Sequence, residues 1–148
     1  MNIKKITVLF VFLTLVVSMA VQAQTISITL SGSQTGYLYY TTSDGSIIST
    51  QCWYRATDTT PGLSGLPWLS TGVYSGQLSQ MSRHPNAIII TGNGITASRG
   101  IFIHPGSMPS HSDGCVVISK DILDRIYRDI ENSGYKRNGG YFTIRVDR

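Results

Sequence analysis

The sequence predicts a mainly β domain carrying one α-helix, and three observations lead to that expectation. Apolar and polar residues alternate from Thr25 to Thr42, placing Ile26, Ile28 and Leu30 on one face of an extended chain. Ser43-Asp44-Gly45-Ser46 reads as a hairpin turn, because Asp-Gly supplies the positive φ that tight β-turns require. The period changes only after Ser119, where Ile122, Leu123, Ile126, Tyr127 and Ile130 form one apolar stripe opposite Lys120, Asp124, Arg125 and Asp129.

In chain order, Lys4 and Lys5 precede an apolar run from Val8 to Val17, followed by the small residues Ser18, Ala20 and Ala23. This is the pattern of a secretory signal peptide with cleavage after Val21-Gln22-Ala23. The run is shorter than the ~20 residues a membrane span needs, so no stable span is expected after cleavage. Removing residues 1–23 from 148 leaves a single domain over 24–148, 125 residues without an interdomain linker. Loss of Lys4 and Lys5 lowers the net charge from +4 to +2. No basic stripe with interleaved aromatics is present, which argues against nucleic acid as a partner. The expectation is an exported monomer, periplasmic or secreted.

The first strand is followed by a Ser/Gly turn and a second strand holding Tyr37, Leu38, Tyr39 and Tyr40. After the hairpin turn, Ile47 to Arg55 returns as a strand with Cys52, Trp53 and Tyr54. Pro61, Gly62, Gly65 and Pro67 make Asp58 to Gly72 a long loop, in which Trp68 and Leu69 either plug the core or line a groove. Gly72-Val73-Tyr74 opens a further strand, and Asn86 to Thr91 is another, ended by Gly92-Asn93-Gly94. Ile101 to His104 is short and apolar. Ser119 is placed to cap the helix, Asp121 lies in its first turn, and Gly134 ends it. Tyr141 to Val146 alternates as the terminal strand.

The most suggestive chemistry lies in Ile101 to Ser119, IFIHPGSMPSHSDGCVVIS. A nucleophilic cysteine reacts as the thiolate and needs a base or cation beside it, with donors for the oxyanion that forms. His104 ends a strand eleven positions before Cys115, and the Pro-Gly loop between them can return the imidazole toward the sulfur. Gly114 allows close backbone approach, so the amides of Gly114 and Cys115 are candidate oxyanion donors. His111 reads as an exposed loop residue or a substrate contact. Asp113 either orients an imidazole or closes an Asx turn. His84, before Pro85, has no evident partner. The spacing of His104, His111, Asp113 and Cys115 fits no familiar zinc pattern, and neither a metal nor a cofactor is expected. A competing reading takes the two cysteines, Cys52 and Cys115, as a structural disulfide, the default in an oxidising compartment. The chain would then be a β-rich module binding carbohydrate or peptide.

Ile103-His104-Pro105-Gly106 resembles the His-x-Gly strand end of the L,D-transpeptidase (YkuD-like) catalytic domain. Ser112-Asp113-Gly114-Cys115-Val116 is similar to that family's Ser/Thr-His-Gly-Cys-apolar signature. Ser70-Thr71-Gly72-Val73-Tyr74 looks like its strand entry without the proline. Asp113 stands where the family has His, and Val117 where Arg or Asn is common. Ser-Asp-Gly-Cys is closest to the divergent branch that includes type VI secretion effectors and small phage-associated relatives. The resemblance covers about Thr71 to Ser119. It implies an L,D-transpeptidase-like β-sandwich or barrel, with Cys115 as nucleophile, His104 as base and Asp113 in support. Substrate contacts are expected from His111, Ser112, Tyr74 and Trp68. The implied substrate is the peptidoglycan stem tetrapeptide, and the leader points to a resident envelope enzyme rather than an injected toxin.

Overall fold

The computed structural model describes residues 23–32, 34–55 and 68–148. The predicted leader up to residue 22 and most of the loop before Gly72 lie outside the described residues. The strands are β1 (Thr25–Ser31), β2 (Thr35–Thr41), β3 (Ile47–Trp53), β4 (Gly72–Met81), β5 (His84–Thr91), β6 (Phe102–Pro105), β7 (Val116–Ile118) and β8 (Phe142–Asp147). Among the described residues a single α-helix, α1 (Lys120–Asn132), joins β7 to β8. The strands close into a barrel in the order β1-β2-β3-β7-β6-β5-β4-β8. The β6–β7 and β1–β8 pairs are parallel and the others antiparallel.

Closure follows from the period-2 patterning. Ile26, Ile28, Leu38, Leu78, Ile88, Ile90, Ile103 and Ile144 are all buried, and together they form one interior cluster. An eight-stranded barrel is just wide enough for side chains to fill it. Chemistry therefore has to sit on the outer wall or at the rims.

β4 runs well beyond the Gly72-Val73-Tyr74 opening, an extent hidden in the sequence because Ser75, Gly76 and Ser79 dilute its apolar alternation. Gly76 is an inward position with no room to spare: a Cβ there would lie 2.5 Å from the Phe142 ring. Tyr74, expected as a substrate contact, is instead an interior residue. It pairs with Ile144 across the β4–β8 ladder and is 3% exposed. Its hydroxyl accepts from the Ser70 N–H and donates to the Ser70 carbonyl, each at 3.0 Å.

The α1 stripe of Leu123, Ile126, Tyr127 and Ile130 joins the barrel interior, so the helix closes one end of it. Asp129 accepts from Ser43 in the β2–β3 hairpin and from the Tyr40 hydroxyl, while Asp124 accepts from Asn86 at the start of β5. Gly134, at φ +99°, ends the helix as expected. Ser119 occupies the N-cap position but makes no side-chain cap bond, contrary to the capping role expected of it.

Candidate active site

β6 and β7 set the site. Their parallel register pairs Ile103 with Val116 and His104 with Val117. Ile103, Val116 and Ile118 belong to the interior cluster, so the alternate residues Phe102, His104, Cys115 and Val117 face the outer wall. Cys115 and His104 thus share one face, one strand apart and two residues offset. With a strand spacing of about 4.8 Å and a rise of about 3.3 Å per residue, their Cα atoms lie about 8 Å apart. The two central residues of the sequence motif are brought together. Their side chains are not hydrogen-bonded to each other: Sγ accepts from the Phe102 N–H at 3.4 Å and points its own hydrogen to the Gly100 carbonyl at 3.7 Å.

His104 is 6% exposed, and its Nδ1 lies 3.0 Å from the Pro105 carbonyl oxygen. A carbonyl only accepts, so Nδ1 carries the proton and Nε2 keeps the lone pair of a base. Burial holds the His104 pKa below its ordinary value, and the neighbouring His84 and His111 push the same way; the Pro105 carbonyl and Asp113 oppose this. Burial raises the Cys115 thiol and Asp113 adds to the effect, while the Phe102 N–H and Arg99 partly offset it. The resting pair is therefore a neutral thiol and a neutral imidazole rather than a preformed ion pair.

The loop before Cys115 is braced from β3. Ser112 is fully buried, donates to the Cys115 carbonyl at 2.6 Å and accepts from the Arg55 N–H at 3.2 Å. Both of these bonds hold the backbone of the motif, so Ser112 is a brace and not the substrate contact expected of it. Asp113 is exposed and ion-paired with Arg55 at 3.1 Å, an arrangement that orients the loop rather than an imidazole. Gly114 adopts φ +94°, and the Trp68 ring lies directly over it. The Arg99 guanidinium stacks 4.7 Å from the centre of that ring. Among the described residues its Nε and Nη2 are buried without a hydrogen-bond partner.

Beyond His104, away from Cys115, lies a cavity of about 650 Å³ lined by Arg83, His84, His104, His111, Ser119 and Lys120, with the Pro105–Ser107 turn. His84 stacks on His104 at 5.5 Å between ring centres. Sequence reasoning missed Arg83, His84 and Arg99, which come from the β4–β5 turn, from the first residue of β5 and from a turn before β6. No sequence spacing links them to the motif. Lys120, read as facing water, sits at the cavity edge and is ion-paired with Asp124.

The Cys52–Cys115 disulfide is not formed, and both cysteines are free. Trp53 pairs with Val117, so Cys52 falls opposite Ile118 and faces the barrel interior, whereas Cys115 faces outward three registers away. The barrel wall separates the two sulfurs. Burial pushes the Cys52 thiol up to about 12. Among the described residues no cluster of three or more His, Cys, Asp or Glu is arranged to hold a metal ion. None of their helices is long and apolar enough to cross a membrane. The chain matches no protein-family model, no curated protein and no solved structure.

These environments predict selective, base-driven reactivity. Iodoacetamide should modify Cys115 alone in the native protein, at a rate that climbs with pH beyond the ordinary thiol range of about 8.5 without levelling. Denaturation without reductant should expose both thiols. A rate plateau reaching below about pH 6 would instead mean a preformed thiolate–imidazolium pair.

Proposed function

We propose that this chain is an exported cysteine acyltransferase of the L,D-transpeptidase type that acts on peptidoglycan stem tetrapeptides. The observation that carries the reading is the register of β6 against β7, with Cys115 and His104 on one outer face and Nδ1 engaged by the Pro105 carbonyl. That arrangement leaves Nε2 with a lone pair on the same face as a thiol, and acyl transfer through sulfur requires such a base within reach of the nucleophile. The finer fold reading, an L,D-transpeptidase-like barrel, belongs to the same proposal.

In the proposed reaction Cys115 turns about χ1 from Phe102 toward the imidazole and attacks the carbonyl of the third stem residue. Nε2 of His104 takes the thiol proton as the S–C bond forms. The tetrahedral oxyanion is held by the amides of Gly114 and Cys115, with the Arg99 charge nearby. Collapse breaks the peptide bond, and the amine of the terminal D-Ala leaves with the proton from Nε2. The thioester then passes its acyl group to an amine, giving a cross-link or a D-amino-acid exchange, or to water, giving L,D-carboxypeptidase cleavage. Asp113 supports this by holding the loop to Arg55, and Trp68 and His111 border the substrate path.

Acid-quenched mixtures of the protein with disaccharide-tetrapeptides are expected to show a Cys115 adduct by intact mass, with release of D-Ala and loss of the adduct in hydroxylamine. Absence of both adduct and D-Ala release under reducing conditions, across stems carrying different diamino acids, would overturn the assignment.

A further inference from the structure

The cavity beyond His104 concentrates positive charge in a way the proposed reaction does not use. All three histidines of the chain line it, together with Arg83 and Lys120, and no Asp or Glu is among the described lining residues. Lys120 is partly neutralised by Asp124, which also accepts from Asn86; Asp113 acts on His104 only through its field. His111 is arranged as a donor: its Nδ1 accepts from the Ser107 N–H at 3.2 Å, so its Nε2 bears the proton. The first turn of α1 opens on the same space, and the Ser119 hydroxyl makes no cap bond to it. First-turn amides have no partner within a helix and favour an anion.

We propose that this cavity is an anion-binding subsite that takes a carboxylate of an acidic peptide. Two permanent cations, the Nε2–H of His111 and an uncapped helix start all converge there, and a negative group satisfies them together. The size suits a short peptide side chain and its neighbours. The carboxylate would lie on the far side of His104 from the sulfur, beyond the ~8 Å between their Cα atoms, which is more than two residues of extended chain. The occupant is thus a peptide with a free carboxylate two or more residues from the bond at Cys115. The peptide part of this inference rests on the proposed acyl transfer, whereas the anion site stands without it.

The test needs no turnover and is made on the full chain bearing Cys115→Ser. Imidazole resonances of His84, His104 and His111 are followed by NMR at pH 7 during titration with acetyl-Ala-Glu-Ala-amide, with its Gln counterpart, and with inorganic phosphate. The Glu peptide should give saturable shifts at all three rings, with the Gln peptide at least about tenfold weaker. The pair Arg83→Gln and Lys120→Gln, both at the cavity edge, should bring the Glu peptide down to the level of the Gln peptide while leaving the free spectrum folded. Equal binding of both peptides, no saturable shift, or unchanged affinity in the double variant would overturn the site. Tighter binding of phosphate than of the Glu peptide would overturn the peptide assignment. Binding as expected in a protein that forms no thioester would sink the catalytic reading and leave the subsite standing.

Discussion

Replacing Cys115 by alanine is expected to abolish release of D-Ala from stem tetrapeptides, and His104→Ala to lower it about 10²–10⁴-fold. Cys115→Ala lies outside the interior cluster and removes one sulfur from the outer wall, so its stability should stay within about 1 kcal/mol of the parent. The double variant should be no worse than Cys115→Ala alone, because a base has no task once its nucleophile is gone. The pH profile gives a second readout. Burial holds His104 below the ordinary imidazole value of about 6.5, so Nε2 stays unprotonated below that pH and the acid limb of kcat/KM should have its midpoint under 6.5. Stability follows the same sign. Unfolding lets the imidazole regain its ordinary proton affinity, so the contribution of His104 is complete above about pH 6.5 and is lost as pH falls through its folded value. Parental activity in either single variant, or an acid limb centred above 6.5, would remove the Cys115–His104 pair from the mechanism.

Much of the fold is legible in the sequence because barrel strands advertise themselves through alternation. Ile26, Ile28 and Leu30 define β1, Asp44-Gly45 defines the β2–β3 hairpin, and the α1 stripe stands out against a β background. The weak point is β4, where small residues at Ser75, Gly76 and Ser79 hide the pattern. Gly76 is needed there because the Phe142 and Ile144 side chains fill its space, a requirement set by β8, 66 to 68 positions later.

The site is legible only where its residues are close in sequence. Cys115, Gly114 and His104 stand in one segment, and their spacing carries the chemistry. The partners of that segment arrive by strand order, which no local pattern encodes. β5 lies beside β6, so His84 comes to stack on His104; β3 lies beside β7, so Arg55 takes the Asp113 carboxylate and the backbone brace at Ser112. The fate of the cysteines turns on the same pairing. Trp53 opposite Val117 puts Cys52 inside and Cys115 outside, and a one-residue slip would reverse the facing of β3. Tyr74 shows the converse difficulty: an aromatic at a strand entry fits a groove or a core equally well, and only the closure of β4 on β8 sends it inward.

Gly114→Ala should be the most damaging small substitution near the sulfur. Its φ of +94° is a conformation that residues with a Cβ adopt at a cost of order 1–3 kcal/mol. The added methyl would also lie 2.2 Å from Cζ3 and 2.7 Å from Cε3 of Trp68, and 3.0 Å from Nη2 of Arg99. The indole must move, and the guanidinium stacked on it at 4.7 Å must follow. The expected result is a melting temperature lower by about 3–12 °C. The amides proposed to hold the oxyanion are displaced at the same time, so turnover should fall about 10²-fold or more. Trp68→Ala in the same chain separates the two causes. It relieves the clash and should return part of the lost stability, while the backbone strain at residue 114 persists and activity stays low. If Gly114→Ala alone melts and turns over like the parent, the loop tolerates a different φ, and neither the Trp68 contact nor the Gly114 amide has the role assigned to it. If the double variant regains full turnover, the clash with Trp68 was the whole effect, and the oxyanion donors must be sought elsewhere along the β6–β7 wall.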